Sequence, residues 1–187
     1  MTTRGIIVRA AFSAIAALLG LGAAAQTPAF ELTSPGLENG DMLKTENVFN
    51  GFGCTGGNVS PALAWKDAPE GTKSFVLTLY DPDAPTGSGW WHWVVYDIPA
   101  ATTGLPQGAG SGAGLPEGAV QGHTDFGSTG YGGPCPPPGA PHRYIFTLTA
   151  LKVPALDVPE NATAALIGFM THANAIASAK LTLMYGR

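Results

Sequence analysis

Charge is scarce in this chain, and positive charge scarcer still. Charged residues make up 12% of the sequence, with 9 Lys and Arg against 13 Asp and Glu. The basic side chains beyond Arg9, namely Lys44, Lys66, Lys73, Arg143, Lys152, Lys180 and Arg187, are scattered rather than clustered. That leaves no electrostatic footprint for nucleic acid. Cysteine is nearly absent, with 2 residues, and no C-x-x-C or H-E-x-x-H pattern occurs. No serine stands in G-x-S-x-G; Ser111 lies in a glycine-rich stretch, but Ala109 and Ala113 replace the glycines that motif needs. A nucleophilic enzyme is therefore unsupported, and no catalytic residue, metal ligand or cofactor is expected.

One apolar run stands out. Arg4 and Arg9 give a basic start, Ala10 to Leu21 is apolar, and Ala23-Ala24-Ala25 supplies a small-residue cleavage site, so residues 1–25 read as an export signal. A membrane anchor is the competing reading, but the run is short and has no basic stop-transfer flank. Removing 25 of 187 residues leaves 162, one domain over residues 26–187, and losing two arginines takes the formal charge from −4 to −6. The expected location is the periplasm or the medium. In an exported chain an even cysteine count favours a disulfide between Cys54 and Cys135, with two separate thiols as the alternative.

What is abundant is strand signal broken by turn formers. Ser74 to Tyr80, Trp91 to Tyr96 and Tyr144 to Leu151 are rich in β-branched and aromatic residues and nearly all apolar, as for strands buried on both faces. Lys180 to Tyr185 alternates more cleanly, and Phe30–Thr33 and Ala62–Trp65 are shorter candidates. Gly104 to Gly118 is so glycine-rich that it reads as a flexible surface loop. One helix is expected near the end, capped by Asn161 or Thr163 and running through Ala164 to Met170. Together these predict a mostly antiparallel β-sandwich with a helix at its edge.

Two segments carry the chemistry. Asp81-Pro82-Asp83-Ala84-Pro85 leads to Trp90-Trp91-His92-Trp93, and Gly133-Pro134-Cys135-Pro136-Pro137-Pro138 leads to His142-Arg143-Tyr144. Alone, the first aspartate segment is a turn and each histidine a core or strand-edge residue. Together they bring two imidazoles and two carboxylates beside stiff loops, where a carboxylate can orient an imidazole and the imidazole can donate to an anion. Strand alternation places His92 on the face opposite both Trp91 and Trp93. Zinc is a weaker reading, because the spacing fits no standard ligand pattern. Gly51-Phe52-Gly53-Cys54-Thr55-Gly56 matches a bare G-x-G-x-x-G, but turn formers and Pro61 follow where a dinucleotide site needs a helix. His123 and His172 have no comparable context.

These motifs, with Asn50 to Cys54, Asn58-Val59-Ser60-Pro61, Asp125-Phe126-Gly127 and Tyr185-Gly186-Arg187, resemble the phosphatidylethanolamine-binding protein family, also called Raf kinase inhibitor-like, and within it the bacterial YbhB/YbcL branch. The resemblance implies a Greek-key-type β-sandwich with one or two short helices and a small anion pocket. Its motif positions map the pocket onto Asp81, Asp83, Trp90, His92, Pro136, Pro137, His142 and Tyr144. Relatives accept phosphate, acetate or the phosphoethanolamine head group there. The chain departs from animal members by a shorter loop before His92, by Trp91-His92 where two histidines are usual, and by one residue fewer before His142. The animal C-terminal helix has no counterpart after Tyr185, so Tyr185 does not inherit that helix's pocket tyrosine and a more open pocket is expected.

The expectation is thus an exported, non-catalytic protein binding a small anionic or phosphorylated ligand, without nucleic acid or stable membrane insertion, and dimeric as the bacterial relatives suggest. A second reading is an interaction protein that inhibits a protease or modulates a signalling partner through loops such as Gly104 to Gly118. A third, weak hydrolysis using His92 and Asp81, is disfavoured.

Overall fold

The computed structural model describes residues 1–2 and 28–187, so the expected leader lies, but for its first two residues, outside the described residues. Ten strands follow in chain order: β1 (Glu31–Thr33), β2 (Asn50–Gly51), β3 (Cys54–Thr55), β4 (Leu63–Lys66), β5 (Ser74–Asp81), β6 (Trp90–Pro99), β7 (Gly104–Leu105), β8 (Val120–Gln121), β9 (His142–Leu151) and β10 (Ala175–Tyr185), with the helix α1 (Ala164–Asn174) directly before the last. A five-stranded sheet of order β10-β9-β5-β6-β8 faces a three-stranded sheet β1-β4-β7, and β2 and β3 form a small separate hairpin. Every pairing between these strands is antiparallel. No helix among the described residues is long and apolar enough to cross a membrane.

The near-continuous apolar runs have the cause expected of them. Phe75, Leu77 and Leu79 of β5 point into the core between the sheets, where they meet Trp93, Phe146 and Leu148 and, from the smaller sheet, Leu32, Leu63, Trp65 and Leu105. Val76 of the same strand points the other way, into a second core with Val94, Tyr96, Leu151, Leu156 and Ile167. The helix therefore covers the outer face of the large sheet rather than its edge. Thr163 caps it, its Oγ1 accepting from the Leu166 N–H at 3.2 Å; this satisfies one of the donors a helix start leaves unpaired.

Two expectations are corrected. The stretch from Gly104 is not a free surface loop, because β7 pairs with β4, and Leu105 and Ala109 are buried in the main core. Glycine content hid this, since Gly104 is glycine for closeness: a Cβ there would meet the Leu63 carbonyl at 2.5 Å. Alternation also fails at His92. Leu79 pairs with Trp93 and Tyr80 with Trp91, leaving His92 as the extra residue of a β-bulge. Trp93 consequently lies in the core between the sheets while Trp91 packs against the second core, so the two tryptophans are on opposite faces. A bulge inserts one residue and re-aims its neighbours.

Candidate functional site

Where β5 ends and β6 and β9 begin, the large sheet presents one row of polar side chains on its inward face. Asp81 closes β5 and is paired with Trp90 at the start of β6. Tyr144 lies on the row of β9 that continues into Phe146 and Leu148, and His142 stands one step before it. The bulge adds His92 to this face; its ring meets that of Tyr144 edge-on at 5.1 Å.

These residues line a cavity of about 170 Å³ together with Pro136 and Pro137 on one side and Phe52, Ala84, Pro85, Thr86, Phe126 and Cys135 around the mouth. All the residues expected at the site except Asp83 are among its walls. Asp83 turns away and grips Arg143 with both oxygens: Nε donates to Oδ2 at 2.9 Å and Nη2 to Oδ1 at 2.7 Å, with the Arg143 backbone N–H on Oδ2 as well. The guanidinium holds the Asp83 carboxyl at about 2. Asp83 thus fixes the start of β9 rather than touching the cavity.

Asp81 is 2% exposed and bonds in two directions. Its Oδ1 accepts from the Asp83 N–H at 2.8 Å, closing the turn, and its Oδ2 meets His142 Nδ1 at 2.8 Å. The stiff Asp-Pro-Asp turn therefore delivers a carboxylate that orients one imidazole. His92, 4% exposed, is oriented otherwise: its Nδ1 donates to the Gly132 carbonyl at 2.7 Å, while its own carbonyl accepts from the Gly132 N–H at 2.9 Å. Burial pushes the His92 ring below its ordinary value, with the Gly132 hydrogen bond opposing the shift. With Nδ1–H committed, His92 Nε2 carries a proton only when the ring is charged.

The loop serving His92 is itself pinned. Asn58 Oδ1 accepts from the Gly133 N–H at 2.7 Å and its Nδ2 donates to the Tyr131 carbonyl at 3.1 Å. A Cβ on Gly133 would collide with backbone atoms of Asn47 and Phe49, so this close approach requires glycine. Trp90 and Tyr144, which both line the cavity, each carry a buried polar atom: Trp90 Nε1 has no hydrogen-bond partner among the described residues, and the Tyr144 hydroxyl has only the nearby Asp81 carboxylate to turn to. Burial, and then the charge of Asp81, push the Tyr144 hydroxyl far up, so it keeps its proton. Leaving a buried donor such as Trp90 Nε1 unsatisfied costs about 1–3 kcal/mol.

The mouth was less legible. Phe52, 67% exposed, stacks with Phe126 at 5.9 Å, and Phe126 meets the Trp90 and His92 rings edge-on. Both phenylalanines stand in motifs quoted above, yet nothing in their spacing assigned them a wall. The expected disulfide forms between Cys54 and Cys135, 81 residues apart, and joins the β2–β3 hairpin to the proline loop. Among the described residues no cluster of His, Cys, Asp and Glu is arranged to hold a metal ion.

Comparison with known proteins identifies the family and the fold. The family model described as phosphatidylethanolamine-binding protein matches residues 33–186. YbcL of Escherichia coli K12 is 56% identical over 164 residues, covering 86% of this chain and 90% of YbcL. YbhB of the same organism is 56% identical over 156 residues, covering 83% of this chain and 99% of its own length. The crystal structure of YbcL, described as a new member of the mammalian PEBP family, superposes with a TM-score of 0.82 over 84% of this chain and 98% of that one. A putative homologue from Chlamydia trachomatis, at 34% identity, gives 0.73 over 85% and 98%.

Proposed function

The chain belongs to the phosphatidylethanolamine-binding protein family, and from that premise we propose that it is an exported, non-catalytic binding protein whose cavity holds a phosphate, a phosphoethanolamine-like head group or a carboxylate. The observation that carries this reading is the convergence on one small cavity of two imidazoles, His92 and His142, whose Nδ1 atoms are already committed, with the donor-bearing side chains of Trp90 and Tyr144 lining the same cavity. Such a site favours a compact ligand with several acceptor atoms. A cationic end on that ligand would find the Asp81 carboxylate, and the rings of Phe52, Phe126 and Trp90 would exclude water from it. The disulfide supports export, since such bonds persist in oxidising compartments.

Calorimetric titration of inorganic phosphate, phosphoethanolamine and acetate into wild type and His142→Ala tests the proposal. Binding in wild type that weakens at least tenfold in the variant is expected. Equal affinity in both proteins, or no heat in either, would remove that ligand. Inhibition of a protease or signalling protein through the Gly104 to Gly118 stretch gains no support, because its first half is anchored in the sandwich. Hydrolysis through His92 and Asp81 fares no better: Asp81 serves His142, and His92 is turned to a backbone carbonyl.

A further inference from the structure

We infer that Arg187 is a positioning residue for the cavity, tying its two opposed rims together in parallel with the disulfide. Its guanidinium donates through Nε to the Pro136 carbonyl at 2.6 Å, through Nη1 to Gly53 at 3.3 Å and through Nη2 to Phe52 at 3.5 Å. Phe52 and Pro136 are both cavity walls, one from the β2–β3 hairpin and one from the proline loop. Cys135 precedes Pro136 directly and Cys54 stands two residues after Phe52, so one covalent and one charge-assisted tie span the same gap.

The hairpin needs such support. Its two strands hold only two residue pairs, and Phe52 at its tip has φ +52°, a left-handed conformation unfavourable for a non-glycine residue. A hairpin this short is not stable alone. Arg187 is anchored in turn: its carbonyl accepts from the Gly139 N–H at 3.0 Å, and Gly186 passes so close to Pro141 that a Cβ would sit 2.9 Å from its Cα. Among the described residues Arg143 is committed to Asp83, whereas the Arg187 side chain is spent on carbonyls of the rim.

The inference rests on this cavity being the binding site, so two readouts are needed. The first is inorganic phosphate affinity in wild type, Arg187→Ala, Arg187→Lys, Cys54→Ser/Cys135→Ser, and the triple variant combining Arg187→Ala with both serines. The second is hydrogen exchange of the Phe49 and Gly56 amides, which bond to Pro134 and Phe49 at the hairpin base, with Leu77 and Leu79 of β5 as internal reference. Arg187→Ala should weaken phosphate about fivefold and speed rim exchange while the β5 amides keep their protection. Lys should not restore either, because one ammonium cannot reproduce the guanidinium fork. The triple variant should lose more than the product of the separate losses. Full restoration by Lys, strictly multiplicative losses, or wild-type rim exchange in Arg187→Ala would overturn the inference. If wild type itself binds no phosphate, the ligand proposal falls for phosphate and exchange alone decides Arg187: faster at the rim supports it, unchanged rejects it.

Discussion

Asp81 and Asp83 stand two residues apart on one turn, yet one orients an imidazole inside the cavity while the other holds a guanidinium outside it. Sequence could identify the pair as carboxylates on a stiff support, but not the division between them, because proline fixes backbone angles and leaves the direction of each side chain to its nearest partner. Arg143 is that partner for Asp83, and its place one residue after His142 was visible in the sequence without being read that way. At His92 the consequence is a pH dependence. Burial holds the free ring below its ordinary value of 6.5 despite the facing charges of Asp81 and Asp125. A bound anion would raise it, so binding takes up a proton in the interval between the free and bound values. Phosphate affinity is therefore expected to fall as pH rises from the free ring's lowered value toward its value in the complex, with proton uptake visible as a dependence of calorimetric enthalpy on the buffer's ionisation heat. The Tyr144 hydroxyl stays protonated throughout, and the His142 and Asp81 pair faces the same cavity, so Tyr144→Phe should lower affinity without moving the profile. A profile flat from about pH 5 to 8 would contradict the role given to His92.

Long apolar elements were the most readable part of the molecule. The core of β5 from Ser74, of β9 to Leu151, and the helix start at Ala164 follow from β-branched and aromatic runs and from Thr163 as a cap. Thr163→Ala should cost about 1 kcal/mol, measured as a shift in the urea midpoint, and leave phosphate binding unchanged, since α1 covers the face of the sheet remote from the cavity. The less readable elements were those specified by pairing rather than by their own residues. Two-residue strands such as β7 and β8 carry no periodicity, and the irregular pairing around His92 depends on how many residues of β6 stand opposite β5. The mouth belongs to the same class. Phe52 reaches the cavity because a disulfide and a guanidinium carry its hairpin there, which no local pattern announces.

Across the whole molecule the large sheet is the organising layer, with one core between the sheets and another under α1. The disulfide acts at this scale, for it shortens the unfolded chain by a loop spanning 81 residues in sequence separation. Cys54→Ser/Cys135→Ser should lose about 2–5 kcal/mol in urea unfolding, and a denatured wild-type sample should show no free thiol until a dithiol reductant is added. A midpoint equal to that of the oxidised protein would mean that the hairpin hardly constrains the chain. The extra residue in β6 has a consequence of another kind. Side chains along a strand obey odd and even, so the cavity depends on a count as well as on identities. Delete Trp91, and the sheet could still zip from Leu79 downward with the core between the sheets kept, at the loss of that ring from the second core. The histidine, however, would be out of phase with Asp81 and Tyr144. A relative that keeps Asp81, His92, His142 and Tyr144 but lacks that one residue would share the fold and have lost the site.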